Sequence, residues 1–186
     1  MEKDKFNFKI DGEEYISLRF YPFWDLKTIT QITGLIDLIH DINKIGENLK
    51  GIEIGSYIGE SSLIFLSFHN ISKLTCVDIE IPKLFNVKLE KFIENGKCVP
   101  LEMSSSDANE KIIEDDFDFI YIDGDHTYDF VKNDIEIWYP KVKKEGILCG
   151  HDYVWDGVKK AVDEFVLKYN LDLKIYDDSS WSVIKK

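Results

Sequence analysis

The stretch "GIEIGSYIGESS", residues Gly51–Ser62, decides how the chain folds. Its first half sets isoleucines at alternate positions, the period of a strand. Its second half is a turn bounded by Gly55 and Gly59 that opens into "ESSLIFLSFH" (60–69), which reads as a helix. A strand that runs through a glycine turn directly into a helix is half of a βαβ unit. The chain beyond it repeats that pattern. Strands are expected at "KLTCVDI" (73–79), "CVPLEM" (98–103), "DFIYID" (118–123) and "GILCGHD" (146–152). Helices are expected over 82–95, about 106–113, 127–142 and 156–169, followed by a closing antiparallel pair, "LKIYDD" (173–178) and "WSVIKK" (181–186).

Strands alternating with helices of ten to fifteen residues require right-handed crossovers and a mostly parallel sheet covered on both faces. The expected fold is therefore α/β: a three-layer, Rossmann-like, doubly wound sheet. Upstream, Phe6, Phe8 and Ile10 alternate with polar residues before an Asp11-Gly12 turn, and "EYISLRF" resumes an extended pattern, which reads as a hairpin. From about Trp24 to Ile45, Leu26, Ile29, Ile32, Leu35, Ile36, Leu38, Ile39 and Ile42 recur at helical spacing. Gly34 is a candidate break and Gly46 a candidate stop. No repeat, low-complexity tract or long linker divides the 186 residues. The reading is one domain, 1–186, in which residues 1–49 form a hairpin and helix extension and 50–186 the ligand-binding core.

Composition narrows the partners. With 23 basic against 35 acidic residues the formal net charge is -12. A nucleic-acid binder draws most of its affinity from neutralising phosphates, so no nucleic-acid partner is expected. A small-molecule ligand is favoured. The charged N-terminus has no secretory apolar core, and no apolar run reaches the roughly 20 residues that span a bilayer. Neither secretion nor membrane insertion is expected. Cys76, Cys98 and Cys149 are scattered in apolar strand settings and read as reduced, buried thiols, with cytoplasmic residence as the default.

Ligands of doubly wound sheets bind beyond the carboxyl ends of the strands. Gly55 lets the chain turn out of its strand, and Gly59 lets backbone approach what lies above it. Ser61 or Ser62 is a candidate cap for the next helix. The G-x-x-x-G spacing is not the G-x-G-x-x-G of a pyrophosphate site. Glu53, two residues before the first glycine, suits a cationic ligand better than an anionic one. Asp78, ending the second strand, can accept hydrogen bonds from both hydroxyls of a ribose. Together they describe a nucleoside with a positive charge and no pyrophosphate.

"GIEIGSYIGESS" followed by "CVDI" resembles the first two motifs of the class I S-adenosylmethionine-dependent methyltransferases, from about Ile52 to the C-terminus. That resemblance implies a seven-stranded sheet with an antiparallel C-terminal strand and S-adenosylmethionine (SAM) as cofactor. It implies cofactor-binding roles for Glu53, Gly55, Ser56, Gly59 and Asp78. The third strand exit would flank the adenine through Met103, Ser104 or Ser105.

Asp123 ends the fourth strand and Asp152 the fifth, and in such a sheet these strands are neighbours. Two converging carboxylates repel unless a cation lies between them, and a hard divalent ion such as Mg²⁺ answers that need. His151 is a candidate third ligand. Asp125 or Thr127 is expected to start the following helix. The pairing of "YIDGDHTY" with "CGHDY" resembles metal-dependent O-methyltransferases acting on sugars and, more distantly, the catechol type. The resemblance implies that Asp123 and Asp152 hold the metal, that Asp123 also borders the cofactor, and that His126 is the general base. His151 stands where some relatives carry a second acid. The expected activity is transfer of a methyl group to a hydroxyl of a sugar or other small molecule, at an acceptor site that is compact or completed by a second copy of the chain. Trp155 and Tyr153, and less so Trp24 and Trp181, are candidates to line it. The rival readings are a nucleoside-binding module without catalysis and an NAD-dependent oxidoreductase.

Overall fold

The computed structural model describes the backbone at 5–10, at 13–18 and from residue 29 to the C-terminus, with side chains from residue 33 onward. Strands β1 (Lys5–Ile10) and β2 (Glu13–Leu18) pair antiparallel as the expected hairpin, Phe8 opposite Tyr15. The Asp11-Gly12 turn and Trp24 lie outside the described residues. Helix α1 runs unbroken from Ile29 to Asn43, so Gly34 does not break it. Gly34 is small because Asp178 lies against it: a Cβ there would come within 2.6 Å of the Asp178 backbone nitrogen.

The remaining elements alternate as the sequence predicts. They are β3 (Leu49–Ile54), α2 (Glu60–Ser67), β4 (Ile71–Asp78), α3 (Lys83–Glu94), β5 (Cys98–Glu102), α4 (Ser105–Lys111), β6 (Phe117–Ile122), α5 (Tyr128–Trp138), β7 (Val142–Gly150), α6 (Asp156–Tyr169), β8 (Lys174–Ile175) and β9 (Trp181–Ile184). One seven-stranded sheet orders them β5-β4-β3-β6-β7-β9-β8. The neighbours from β5 to β7 are parallel, and β9 alone runs against them. This is the expected doubly wound sheet with an antiparallel C-terminal strand.

Two elements differ from expectation. Helix α5 ends at Trp138 rather than Val142, because Pro140 has no N–H to donate and converts the end into a 3-10 turn, Tyr139–Lys141. Strand β7 begins four residues early, at Val142. Its charged "KKE" hides the strand pattern, and the pairing shifts register there, with Glu145 in the left-handed region. Lys143 lies on the buried Asp118, which also accepts the Lys50 N–H at 2.7 Å.

Alternation along the central strands divides the core into two layers. Phe119 and Tyr121 of β6 face α1, α2 and α3, packing with Leu38, Phe65, Phe85 and Leu89. Ile120 and Ile122 face α4, α5 and α6, packing with Ala108, Val131, Trp138 and Val162. The three cysteines are free and buried in strands, Cys76 and Cys98 with sulfurs 3.8 Å apart. Among the described residues no helix is long and apolar enough to cross a membrane.

Candidate active site

All five central strands end on the same edge, and a cavity of about 790 Å³ opens there. Its floor is the end of β3. Gly55 sits at φ +89, and a Cβ on it would overlap the backbone of Asp123 and Gly124, the latter at 2.7 Å. Only glycine lets β3 and β6 exits meet this closely. Asp78 closes one side. Its Oδ2 accepts the Tyr57 N–H at 2.7 Å and its Oδ1 the Glu80 N–H at 3.2 Å, so two backbone donors aim the carboxylate.

Of the residues expected to bind a cofactor, Gly55, Asp78, Met103, Ser104, Ser105 and Asp123 line this cavity. Glu53, Ser56 and Gly59 are buried and do not line it. Glu53 is fully buried and accepts hydrogen bonds from the Ser61 and Ser62 hydroxyls. Those serines therefore do not cap α2 as expected: buried Glu53 needs donors, and Gly59 itself stands at the cap with φ +75. Gly59 also packs on α3, where a Cβ would come within 2.9 Å of Phe85 and Leu89. Ser56 ties the turn to β4 through its N–H on the Val77 carbonyl.

Ser104 caps α4 by accepting the Asp107 N–H at 3.1 Å. Ser105 donates to Asp134 at 2.6 Å and accepts from the Trp138 indole at 2.8 Å. The sequence reading missed the far wall, supplied by Asp129, Phe130, Asn133 and Asp134 of α5. Their i, i+4 spacing puts them on one helix face, the signal that could have found them. Burial raises the Asp134 pKa despite the Ser105 hydrogen bond. Five aspartates, 78, 123, 125, 129 and 134, line the cavity, with no lysine or arginine among the described residues.

Beside Asp123 lies the second cluster. Asp123, His126 and Asp152 each offer a ligand atom within 4.8 Å of the other two. His126 is the imidazole grouped with the two acids, and His151, the expected third ligand, is a further imidazole beside them. His126 Nε2 lies 2.8 Å from Asp152 Oδ2, and its ring stacks on Trp155 with centroids 5.6 Å apart. The Asp152 hydrogen bond raises the His126 pKa in spite of partial burial. For Asp152, burial acts upward, but the hydrogen bonds of His126 and His151 overcome it and hold the carboxyl well below the usual range. Asp152 adopts φ +59, an uncommon conformation for a residue with a Cβ.

His151 is buried behind this pair, its Nδ1 3.0 Å from Asp152 and 3.8 Å from Asp123. Thr127 stands at the N-terminal cap of α5 without a side-chain cap bond, and Asp125 accepts the Thr127 N–H at 2.7 Å just before it. Trp181 is buried in the core, and the Tyr153 hydroxyl is turned onto Asp163 of α6.

Comparison with known proteins agrees with this architecture. Solved structures with the same fold include the O-methyltransferase of Bacillus cereus in complex with SAH, at 16% identity and a TM-score of 0.66, covering 88% of this chain and 84% of that one. They include the O-methyltransferase TomG of Streptomyces achromogenes in complex with SAM, at 11% and 0.63, covering 86% and 82%. The N-methyltransferase NodS of Bradyrhizobium japonicum also matches, at 13% and 0.60, covering 85% and 96%. No curated protein matches the chain. The sequence pattern of the methyltransferase domain family matches residues 52–153, more than half of the chain and the span from the glycine turn to just past Asp152. The chain belongs to the methyltransferase domain family.

Proposed function

We propose that this methyltransferase uses SAM to methylate a hydroxyl of a sugar or other small molecule, assisted by a divalent metal, Mg²⁺ by preference. The observation that carries the reading is the junction of two features at Asp123. This residue ends the acid-lined cavity and begins the cluster with His126 and Asp152. A cavity with five carboxylates and no cationic side chain among the described residues favours a ligand bearing a sulfonium and an ammonium. It would repel the pyrophosphate of NAD, which speaks against an oxidoreductase.

In this reading Asp78 accepts the ribose hydroxyls, Met103 and Ser104 flank the adenine, and the Gly55 turn lies under the amino-acid part. Glu53 holds that turn from below through Ser61 and Ser62. Two carboxylates and an imidazole converging on one point are a donor set that fits a divalent cation. Asp123 and Asp152 would hold it, and when bound it would lower the pKa of an acceptor hydroxyl. His126, partly exposed beside Asp152, takes the hydroxyl proton. SAM, when bound, would supply the methyl group to the acceptor oxygen, its sulfur keeping the electrons of the broken C–S bond to leave SAH. Most of the acceleration comes from alignment. His126 Nε2 is also close enough to the acids to serve as a third ligand, which is the second reading of that residue. Residues 1–186 act as one domain, with 50–186 as the cofactor core.

Calorimetric titration with SAM and with NAD, each with and without Mg²⁺, tests the proposal. Binding of SAM and not NAD is expected, followed by Mg²⁺-dependent turnover on a panel of sugar nucleotides and catechols. Failure to bind SAM would overturn it.

A further inference from the structure

We infer that Asp178, far along the chain from the cluster, is a positioning residue that sets the Asp152 carboxylate through His151; the inference rests on the metal-assisted reading above. His151 is bracketed by acids. Its Nδ1 lies 3.0 Å from Asp152 Oδ1, and its Nε2 lies 3.9 Å from Asp178 Oδ2. Both outer groups are withdrawn from solvent: the His151 side chain is 3% exposed and that of Asp178 0%. Asp178 is itself fixed, since its Oδ1 accepts the Ser180 N–H at 2.8 Å and its backbone lies against Gly34 of α1. A chain of contacts thus runs from the middle of α1, through Asp178 and His151, to one of the two carboxylates of the cluster.

Two features call for such a support. Asp152 holds a left-handed φ, a state that persists only where its surroundings over-determine it. Its carboxylate is held from one side by His126, which is partly exposed, and from the other by His151, which is buried. The buried contact is the better placed to fix geometry, and the Asp178 carboxylate faces the far side of that ring at 3.9 Å, an electrostatic approach longer than a hydrogen bond. Glycine in the middle of a helix weakens it relative to alanine. Gly34 is therefore a cost borne by α1, and the residue it admits is Asp178.

The test is Mn²⁺ titration followed by electron paramagnetic resonance, with SAM affinity measured by calorimetry on the same samples. Asp178→Asn keeps an Oδ1 for the Ser180 N–H and removes the charge facing His151. Loss of an outer partner of a metal ligand costs about 10–100-fold in metal affinity. Asp178 stands one contact beyond that partner, His151, so we expect Asp178→Asn to weaken Mn²⁺ by about 10-fold, the low end of that range, and to leave SAM affinity within about twofold. Gly34→Ala, which favours the helix by propensity alone but displaces Asp178, should weaken Mn²⁺ in the same direction. A purely structural role would lower SAM and Mn²⁺ binding together, or neither, and either result overturns the inference. Wild-type protein that binds SAM but not Mn²⁺ would overturn the metal reading and the inference with it. Wild-type binding with Asp178→Asn unchanged would overturn the inference alone.

Discussion

Asp78 and Asp152 are both aspartates at the exits of strands on the same sheet edge, yet they are held by opposite means. Asp78, on the β4 side, is aimed by two backbone N–H groups and forms no ion pair among the described residues. Asp152, on the β7 side, is gripped by two imidazoles and sits in a left-handed conformation. Backbone donors fix a carboxylate once the fold is made, which suits a site that has only to bind. Side-chain partners leave charge and protons to be redistributed, which suits a site that has chemistry to perform. In the proposed function the β3–β5 rim serves binding and the β6–β7 rim reaction, with Asp123 where they meet.

The sharpest way to break that division is His126→Ala. Removing a general acid–base group costs about 10²–10⁴-fold in rate, so kcat should fall by that much while SAM affinity stays within about threefold. A comparable loss of SAM affinity would erase the distinction between the rims. Next in size, Asp78→Ala should weaken SAM by about 10–100-fold, the worth of charge-assisted hydrogen bonds, with kcat at saturating SAM largely kept. Calorimetry and steady-state kinetics on both variants check the pair.

Away from both rims the effects should be smaller and confined to stability. Burial raises the Asp41 pKa, but hydrogen bonds from Lys174, Lys44 and Tyr176 outweigh it and hold the carboxyl well below the usual range. A depressed folded pKa stabilises above the unfolded value near 4 and loses that contribution as pH falls through the folded one. Thermal melting from pH 7 down to pH 2 should therefore decline below about pH 4, and less steeply in Asp41→Asn. Smallest of all, Tyr121 is buried with a hydroxyl that makes no hydrogen bond among the described residues. Tyr121→Phe removes an unsatisfied group and keeps the ring against Phe65, so it should raise stability by about 1 kcal/mol in urea unfolding.

The two rims also differ in how legible they were. Period-two isoleucines at 52 and 54 and the paired glycines carry local geometry, so strand, turn and helix could be read from neighbouring residues. Asp123 and Asp152 could be paired because strand order follows from topology. Glu53 was noticed, but its serine partners were read as caps, since nothing local reveals that its side chain points under the turn. His126 and His151 both stand beside the acids, one against Trp155 and the other facing Asp178, contacts absent from any short motif. Asp178 carries no sequence signal at all. It comes from the loop between β8 and β9, and its contacts with Gly34 and His151 appear once the chain is folded.

The claim on which the whole account turns is that Asp123 borders the cofactor but works on the acceptor side. Calorimetric titration of SAM into wild-type protein and Asp123→Asn, with methyl transfer assayed on the same preparations, tests it directly. The account predicts SAM affinities within about threefold and transfer reduced by at least about 10²-fold in the variant. Loss of SAM binding in Asp123→Asn, or undiminished transfer, would contradict it.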